Sequence, residues 1–157
     1  MHILVIEDDD NKRQQLGEFL AASYIGLDLV GARSLNSGLR HLTREQFDVA
    51  IIDMTMPTFD VTETEEGGRP QAYGGRELLR KMARKGIETP AVVVTQFDSF
   101  GSGADRLTLE QLDQQLRERF PGIYAGSVYY SAIEDRWRED LSRLLKQAVR
   151  RTGDYIP

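Results

Sequence analysis

The chain has 157 residues, 20 Lys and Arg against 25 Asp and Glu, a formal net charge of −5 and no cysteine. This length predicts one domain, which we place at residues 1–151, with a short C-terminal tail at residues 152–157. The lack of cysteine excludes a disulfide scaffold, a Cys-ligated zinc site and a thiol nucleophile. The acidic balance argues against nucleic acid as a partner, and no apolar run approaches the ~20 residues that span a bilayer. We therefore expect a soluble, cytoplasmic protein that binds neither nucleic acid nor membrane.

In chain order, short apolar runs alternate with amphipathic segments, which predict buried strands and helices respectively. The predicted strands cover residues 3–6, 27–30, 47–52, 90–95 and 127–130, and the predicted helices carry apolar sets around Leu16, Leu35, Leu78, Leu112 and Leu141. In the first helix, polar residues that include Lys12 and Arg13 stand between the apolar positions. Ser34 is the predicted N-cap of the second helix, and Thr108 with Gln111 forms a predicted capping box for the fourth.

This alternation predicts an α/β fold, a doubly wound five-stranded parallel sheet with helices on both faces. In such folds, sites form at the carboxyl ends of the strands.

Two stretches break the alternation beside these strand ends, at residues 58–74 and 96–107. The first is rich in glycine and acids, which favours a solvated loop over a lid or a docking element. The second is predicted to be irregular, with Phe97 and Phe100 either exposed to a partner or folded back onto the core.

Three carboxylates follow two of the predicted strands. Glu7 and Asp8 come directly after the first strand, and Asp53 comes directly after the third. Like charges at short range resist joint ionisation unless a cation lies between them. Mg²⁺ meets this need because it prefers oxygen ligands. The alternative is that these acids only solvate the loop and favour the start of the next helix, as Asp9 and Asp10 would in its first turn.

Four motifs resemble those of the receiver family of two-component response regulators. They are residues 4–9 (LVIEDD), 51–57 (IIDMTMP), 75–79 (GRELL) and 90–95 (PAVVVT). Each motif alone is weak, but together they cover nearly the whole chain in the family's order. The resemblance implies the flavodoxin-like receiver fold, which agrees with the predicted strand–helix alternation.

The resemblance also implies a role for each matching residue. Asp53 would accept a phosphoryl group, and Thr95 would be the switch hydroxyl that hydrogen-bonds it. Glu7 and Asp8 would hold Mg²⁺ together with Asp53 and the backbone carbonyl of Thr55. No organic cofactor is implied, and the chemistry is limited to phosphorylation and dephosphorylation of the protein itself, so we do not expect an enzyme.

The implied function is a stand-alone, phosphorylation-controlled signalling switch in a phosphorelay. Its expected phosphodonor is a sensor histidine kinase or a phosphotransfer protein. Output would pass to a downstream protein partner, and a homodimer is a further option.

The end of the predicted fifth strand departs from the family pattern. Receivers place a Lys followed by a Pro there, whereas the matching stretch of this chain, residues 129–132 (YYSA), has neither. Ser131 can donate a neutral hydrogen bond but carries no charge. Arg136 and Arg138, slightly downstream, are candidates to reach back and supply it. Tyr129 and Tyr130 are candidates for the family's switch aromatic, with plain packing as the alternative.

Two other functions compete with the switch. The missing Lys and the two insertions favour a degenerate pseudo-receiver, which would act as a phosphorylation-independent protein-interaction module. A phosphatase with Asp53 as nucleophile is the other alternative. Phosphatases of the haloacid-dehalogenase type carry a general-acid Asp two residues after the nucleophile, where this chain has Thr55, which cannot serve.

Overall fold

The computed structural model describes residues 1–60 and 71–151, and its strands and helices alternate along the chain. The strands are β1 (His2–Ile6), β2 (Asp28–Ala32), β3 (Val49–Ile52), β4 (Ala91–Thr95), β5 (Ser99–Phe100), β6 (Leu107–Thr108) and β7 (Tyr124–Tyr129). The helices are α1 (Asp10–Ser23), α2 (Leu35–Arg44), α3 (Gly74–Arg84), α4 (Leu109–Arg119) and α5 (Arg136–Arg151).

The central sheet has five parallel strands in the order β2-β1-β3-β4-β7. This confirms the predicted doubly wound fold. The order reverses between β1 and β3, because β2 follows on one side of β1 and β4 follows on the far side of β3. In open α/β sheets such a switch point is where a crevice opens at the carboxyl ends of the strands. The residues that leave β1 and β3 therefore stand side by side at the edge of this crevice.

The helices cover both faces of the sheet, so the central strands are buried on both sides. One face packs α1 and α5 through Leu16, Leu20 and Leu141. The opposite face packs α2, α3 and α4 through apolar residues such as Leu79 and Leu116. Burial on both faces is the physical reason why β1, β3 and β4 are continuous aliphatic runs and do not alternate apolar with polar residues.

The second insertion, residues 96–107, is more regular than predicted. It contains β5, which pairs with β6 as a small antiparallel hairpin, and a 3₁₀ turn at Gly103–Asp105. The two predicted aromatics differ: Phe100 is buried in the core, whereas Phe97 is 43% exposed. The predicted capping box of α4 at Thr108 and Gln111 is confirmed, with both reciprocal hydrogen bonds formed.

The described part of the first insertion is anchored on the start of α2. The carbonyl of Pro57 accepts a hydrogen bond from the Leu35 N–H. The Asp60 carboxylate accepts from the hydroxyls of Ser34 and Ser37, at 2.5 and 2.8 Å. Ser34 caps α2 as predicted. The acidic stretch at residues 61–70 and the predicted tail at 152–157 lie outside the described residues.

Several element boundaries differ from prediction by a few residues. The last strand of the sheet, β7, begins at Tyr124 and ends at Tyr129, so Tyr130 lies just beyond it. Helix α3 begins at Gly74, earlier than the apolar periodicity indicated. None of the helices in the described ranges is long and apolar enough to cross a membrane.

Candidate functional site

The strand register brings the predicted carboxylates together. Ile6 of β1 pairs with Ile52 of β3, and the next residues along, Glu7 and Asp53, are therefore neighbours. The Asp53 N–H donates to the Ile6 carbonyl at 3.1 Å, which extends the ladder by one bond. Glu7 is 1% exposed and Asp53 2% exposed, while Asp8 is half-buried. One carboxylate oxygen from each lies within 4.8 Å of the others, so the three form a single acidic cluster.

A buried lysine from α1 lies against this cluster. Asp9 caps α1 by accepting a hydrogen bond from the Lys12 N–H at 2.8 Å, which holds Lys12 in the first turn. The Lys12 side chain is 3% exposed, and its Nζ lies 2.7 Å from Glu7 Oε2 and 3.4 Å from Asp53 Oδ1. The sequence pattern placed Lys12 among the polar residues of an amphipathic helix. The structure instead buries it in the site.

Burial sets the protonation of the two inner carboxyls. It raises the pKa of Glu7 to about 7, with Lys12 lowering this pKa and the nearby Asp53 raising it. The pKa of Asp53 is also raised, chiefly by burial, with Lys12 acting in the opposite direction and Asp8 adding to the increase. The ammonium therefore offsets only part of the desolvation of the two carboxylates.

Thr95 is the last residue of β4, and Thr55 lies in the turn after β3, two residues beyond Asp53. Thr95 is fully buried, and its Oγ1 accepts a hydrogen bond from the Phe97 N–H at 3.1 Å. A hydroxyl that accepts in this way keeps its own O–H as a donor. The N–H of Thr55 hydrogen-bonds the Asp53 carboxylate and lowers its pKa. Thr55 thus contacts Asp53 directly, whereas Thr95 ends β4, the strand that pairs with β3.

The end of β7 holds aromatic packing and no cation of its own. Tyr130 is buried, and its ring packs on Trp137 with 5.1 Å between centroids. The arginines proposed to reach back point elsewhere, and that hypothesis is wrong. The Arg136 side chain is 86% exposed and pairs with Asp140, and Arg138 pairs with Asp135 and lies over the Trp137 ring.

Tyr129 and Tyr130, the two candidates for a switch aromatic, differ in environment. Tyr129 is 51% exposed, whereas Tyr130 is 5% exposed. Tyr130 is therefore a packing residue of the core, whereas Tyr129 exposes its aromatic side chain to solvent at this strand end.

The donor set of the acidic cluster suits a hard divalent cation. Three carboxylates face one ammonium, which leaves a formal excess of two negative charges when all are ionised. The buried Asp53 Oδ1 accepts no hydrogen bond from any residue that the structure describes. An orphaned carboxylate oxygen beside two further acidic groups fits Mg²⁺, which takes few protein oxygens and retains waters.

Two residues of the site were missed by sequence reasoning, Lys12 and Gln96. Lys12 Nζ donates hydrogen bonds to the Val94 carbonyl at 2.7 Å and to Gln96 Oε1 at 3.0 Å. One signal was present: Lys12 is a cation in the first turn of a helix, where the helix dipole favours acids. A residue that violates this preference needs an anion nearby, and the carboxylates after β1 and β3 supply it.

Known proteins resemble this chain in sequence and in fold. No protein-family model matches the chain. The uncharacterized protein y4jR of Sinorhizobium fredii is 32% identical over 140 residues, which cover 88% of this chain and 92% of y4jR. The Detocs response regulatory protein DtcB of Enterobacter cloacae is 29% identical over 149 residues, which cover 94% of this chain and 99% of DtcB.

Solved structures share the fold at lower identity. A response regulator receiver domain from Clostridium thermocellum superposes with a TM-score of 0.63 at 22% identity, covering 97% of this chain and 96% of that one. The response regulator TrrA of Thermotoga maritima, in complex with Mg²⁺ and BeF, has a TM-score of 0.56 at 19% identity, covering 91% and 97%.

The parallel sheet of order β2-β1-β3-β4-β7, with acids leaving β1 and β3, is shared in its fold by solved receiver domains. The chain therefore has the fold of response-regulator receiver domains, and it is similar in sequence to a response regulatory protein over 94% of its length.

Proposed function

We propose that this receiver is a phosphorylation-controlled switch in a phosphorelay, which accepts a phosphoryl group on Asp53 with Mg²⁺ and signals by binding a partner protein. The observation that carries the proposal is the environment of Asp53. Its carboxylate is buried at the end of β3, beside Glu7 and Asp8, with Oδ1 accepting no hydrogen bond from the described residues. A carboxylate oxygen that accepts no hydrogen bond is available as a nucleophile.

The proposed transfer uses the Asp53 carboxylate directly. One oxygen attacks the phosphorus of the donor, and an acyl phosphate forms on Asp53. The P–N bond of a phosphohistidine, or the P–O bond of a small phosphodonor, breaks at the same time. The leaving group departs with the bonding electron pair: the imidazole of a phosphohistidine takes up a proton from solvent, whereas acetate from acetyl phosphate leaves as the anion. Because the protein does little covalent chemistry in phosphoryl transfer, positioning and charge neutralisation carry most of the catalysis.

Glu7, Asp8, Asp53 and the backbone carbonyl of Thr55 are the groups we propose to hold Mg²⁺. When bound, the ion neutralises negative charge on the phosphoryl oxygens. The formal excess of two negative charges in the cluster matches the charge of one such ion.

Thr95 is the proposed reporter of phosphorylation. Its hydroxyl now accepts from the Phe97 N–H. A shift of the Thr95 hydroxyl toward a phosphoryl group on Asp53 would break that bond and move the segment that leads into β5. A charged group with three acceptor oxygens can reorder a neighbouring loop in this way. Phe97, which is 43% exposed in this segment, would move with it.

The proposed partners follow from the phosphorelay. The phosphodonor is a sensor histidine kinase or a phosphotransfer protein, and the output is a downstream protein or a second copy of this chain. The relative DtcB is named a response regulatory protein, which supports a signalling role. The proposal places the protein in the cytoplasm, where such kinases present their phosphohistidine.

The test is direct phosphorylation. The protein is incubated with acetyl phosphate and Mg²⁺, and intact mass spectrometry is expected to detect one added phosphoryl group. Replacing Asp53 with Asn should abolish the addition, whereas Asp28→Asn, an exposed aspartate on the edge strand β2, should leave it unchanged. If wild type gains no phosphoryl group from acetyl phosphate or from a co-expressed kinase, the proposal fails.

One observation favours a second candidate, the phosphorylation-independent interaction module. The Lys12 ammonium lies 2.7 Å from Glu7 Oε2 and 3.4 Å from Asp53 Oδ1, so it competes with a metal ion for the same oxygens. Isothermal titration calorimetry with MgCl₂ separates the two candidates. A switch should bind Mg²⁺ and lose this binding in Asp53→Asn, while an interaction module that has replaced the metal with Lys12 should bind none.

A further inference from the structure

The Lys12 ammonium contacts groups from the ends of four adjacent strands. It pairs with Glu7 after β1 and approaches Asp53 after β3. It donates to the carbonyl of Val94 in β4. It also lies 5.9 Å from the centre of the Tyr130 ring, directly after β7. A side chain that begins on α1 therefore carries its charge across the sheet edge to the space beside β7.

The hydrogen bonds of Lys12 to other groups hold its ammonium beside Asp53. Nζ donates to the Val94 carbonyl and to Gln96 Oε1, and it forms its closest ion pair with Glu7. An ammonium has three N–H donors, and these three partners account for them. Asp53 Oδ1, at 3.4 Å, accepts no hydrogen bond from the described residues. The charge is therefore close enough to act on Asp53, while the shorter contacts of the ammonium are made with other groups.

Phosphorylation would change the balance among these partners. A phosphoryl group on Asp53 adds negative charge and three strong acceptor oxygens within reach of Nζ. The ammonium is attracted more strongly to an ionised phosphoryl oxygen than to a neutral amide oxygen, because both partners then carry a full charge. The bonds to the neutral Val94 carbonyl and Gln96 amide are consequently the ones that the ammonium would give up.

We infer that Lys12 of α1 supplies the positive charge that the end of β7 lacks, and that its ammonium contacts the phosphoryl group on Asp53. The inference rests on the proposed phosphorylation of Asp53. It assigns a role to Lys12, which lies outside the four motifs that resemble those of receivers. It also explains how the chain functions with Ser131, which carries no charge, at the end of the last strand.

Because Gln96 directly follows Thr95, the same contact has a consequence for signalling. Release of the Gln96 side chain by Lys12 and movement of the Thr95 hydroxyl would act on adjacent residues of one segment. Lys12 and Thr95 would thus both report the phosphoryl group to the segment that leads into β5.

The experiment measures the initial rate of phosphoryl incorporation from acetyl phosphate with Mg²⁺ by intact mass. It compares wild type, Lys12→Gln, and Lys146→Gln, which removes an exposed lysine from α5. A fourth protein combines Lys12→Gln with Ser131→Lys. Removing a charged hydrogen-bond donor should slow Lys12→Gln by about 10- to 100-fold. Lys146→Gln should match wild type, and the Lys at position 131 should restore much of the rate.

The contact itself has a spectroscopic readout. In wild type, the side-chain ammonium NMR signal of Lys12 should shift on phosphorylation, whereas that of Lys146 should not. A structural role for Lys12 alone predicts neither this shift nor the rescue from position 131.

The outcomes separate the two proposals. If wild type is phosphorylated, equal rates for wild type and Lys12→Gln, or an unchanged Lys12 signal, overturn the inference and leave the proposed function standing. If wild type is not phosphorylated at all, the proposed function fails and takes the inference with it. Thermal unfolding checks that each variant folds. Where Lys12→Gln does not fold, the double variant decides, because a folded double variant that remains unphosphorylated overturns the inference.

Discussion

Gly75 packs directly against the backbone of Asp53. A Cβ added at Gly75 would lie 2.8 Å from the Asp53 carbonyl oxygen and 3.0 Å from the Met54 Cα. The Gly75 N–H also donates to the Met54 carbonyl at 2.8 Å. The start of α3 therefore fixes the turn that carries Asp53, and a side chain at Gly75 has no room unless that turn moves.

Gly75→Ala should accordingly disturb both stability and the site. Overpacking against backbone costs about 1–3 kcal/mol of the free energy of unfolding. We also expect a slower phosphorylation of Asp53, since the displaced turn carries the acceptor. Urea denaturation and intact mass measure the two effects. Gly122→Ala is the matched control, because a Cβ at Gly122 meets nothing within 4 Å. Equal stability of the two variants would contradict the prediction.

Gly38→Ala should be destabilising through Ile6. A Cβ at Gly38 would lie 2.9 Å from Ile6 Cγ1 and closer still to its Cδ1. Ile6 is fully buried and immediately precedes Glu7. The expected loss is about 1–3 kcal/mol, even though Ala is the better helix former.

Ile6→Val removes the Cδ1 that lies closest to the added methyl group. The double variant Gly38→Ala/Ile6→Val should therefore lose less stability than the sum of the two single variants. A double-mutant cycle by urea denaturation measures this coupling. Strict additivity would show that the clash is not with Ile6.

The Asp60 carboxylate should make α2 acid-sensitive. The hydroxyls of Ser34 and Ser37 hold the pKa of Asp60 below its ordinary value of 3.8, with the Ser34 hydrogen bond as the main cause. Because the folded pKa is the lower one, the stabilisation is present above pH 3.8 and is lost as the pH falls through the folded pKa. Wild type should therefore exceed Asp60→Asn in stability at neutral pH, and the difference should shrink below pH 3.8.

Urea denaturation at neutral pH and below pH 3.8 measures the difference in free energy of unfolding between wild type and Asp60→Asn. Asp98→Asn is the control for loss of a carboxylate, since Asp98 is exposed and its replacement should change stability little. A difference between wild type and Asp60→Asn that is the same at both pH values would argue against the hydrogen bonds to Ser34 and Ser37.

Tyr73→Phe should loosen the second insertion. The Tyr73 hydroxyl donates to the Phe100 carbonyl at 3.0 Å and to the Asp105 carbonyl at 2.6 Å, which ties the start of α3 to the hairpin of β5 and β6. Loss of these bonds should cost about 1 kcal/mol. Amide hydrogen exchange should become faster in residues 99–108. Tyr129→Phe, at an exposed tyrosine, is the matched control and should leave exchange in this hairpin unchanged.

The sequence by itself determined the five buried strands and the residues at their ends. Continuous aliphatic runs that alternate with amphipathic segments predict a sheet covered on both faces, with Glu7, Asp8 and Asp53 at the carboxyl ends of its strands. The sequence also predicted the helix caps at Ser34 and Thr108, because a cap depends on residues only three positions apart.

Only the tertiary structure decided where the positive charge of the site comes from. Lys12 and Val94 are 82 positions apart, and their contact depends on the packing of α1 across the sheet, which no local pattern encodes. The hairpin in the second insertion also escaped prediction, since two-residue strands are too short to show periodicity and depend on Tyr73. A helix position that looked solvated became buried because the carboxylates after β1 and β3 stabilise the ammonium there.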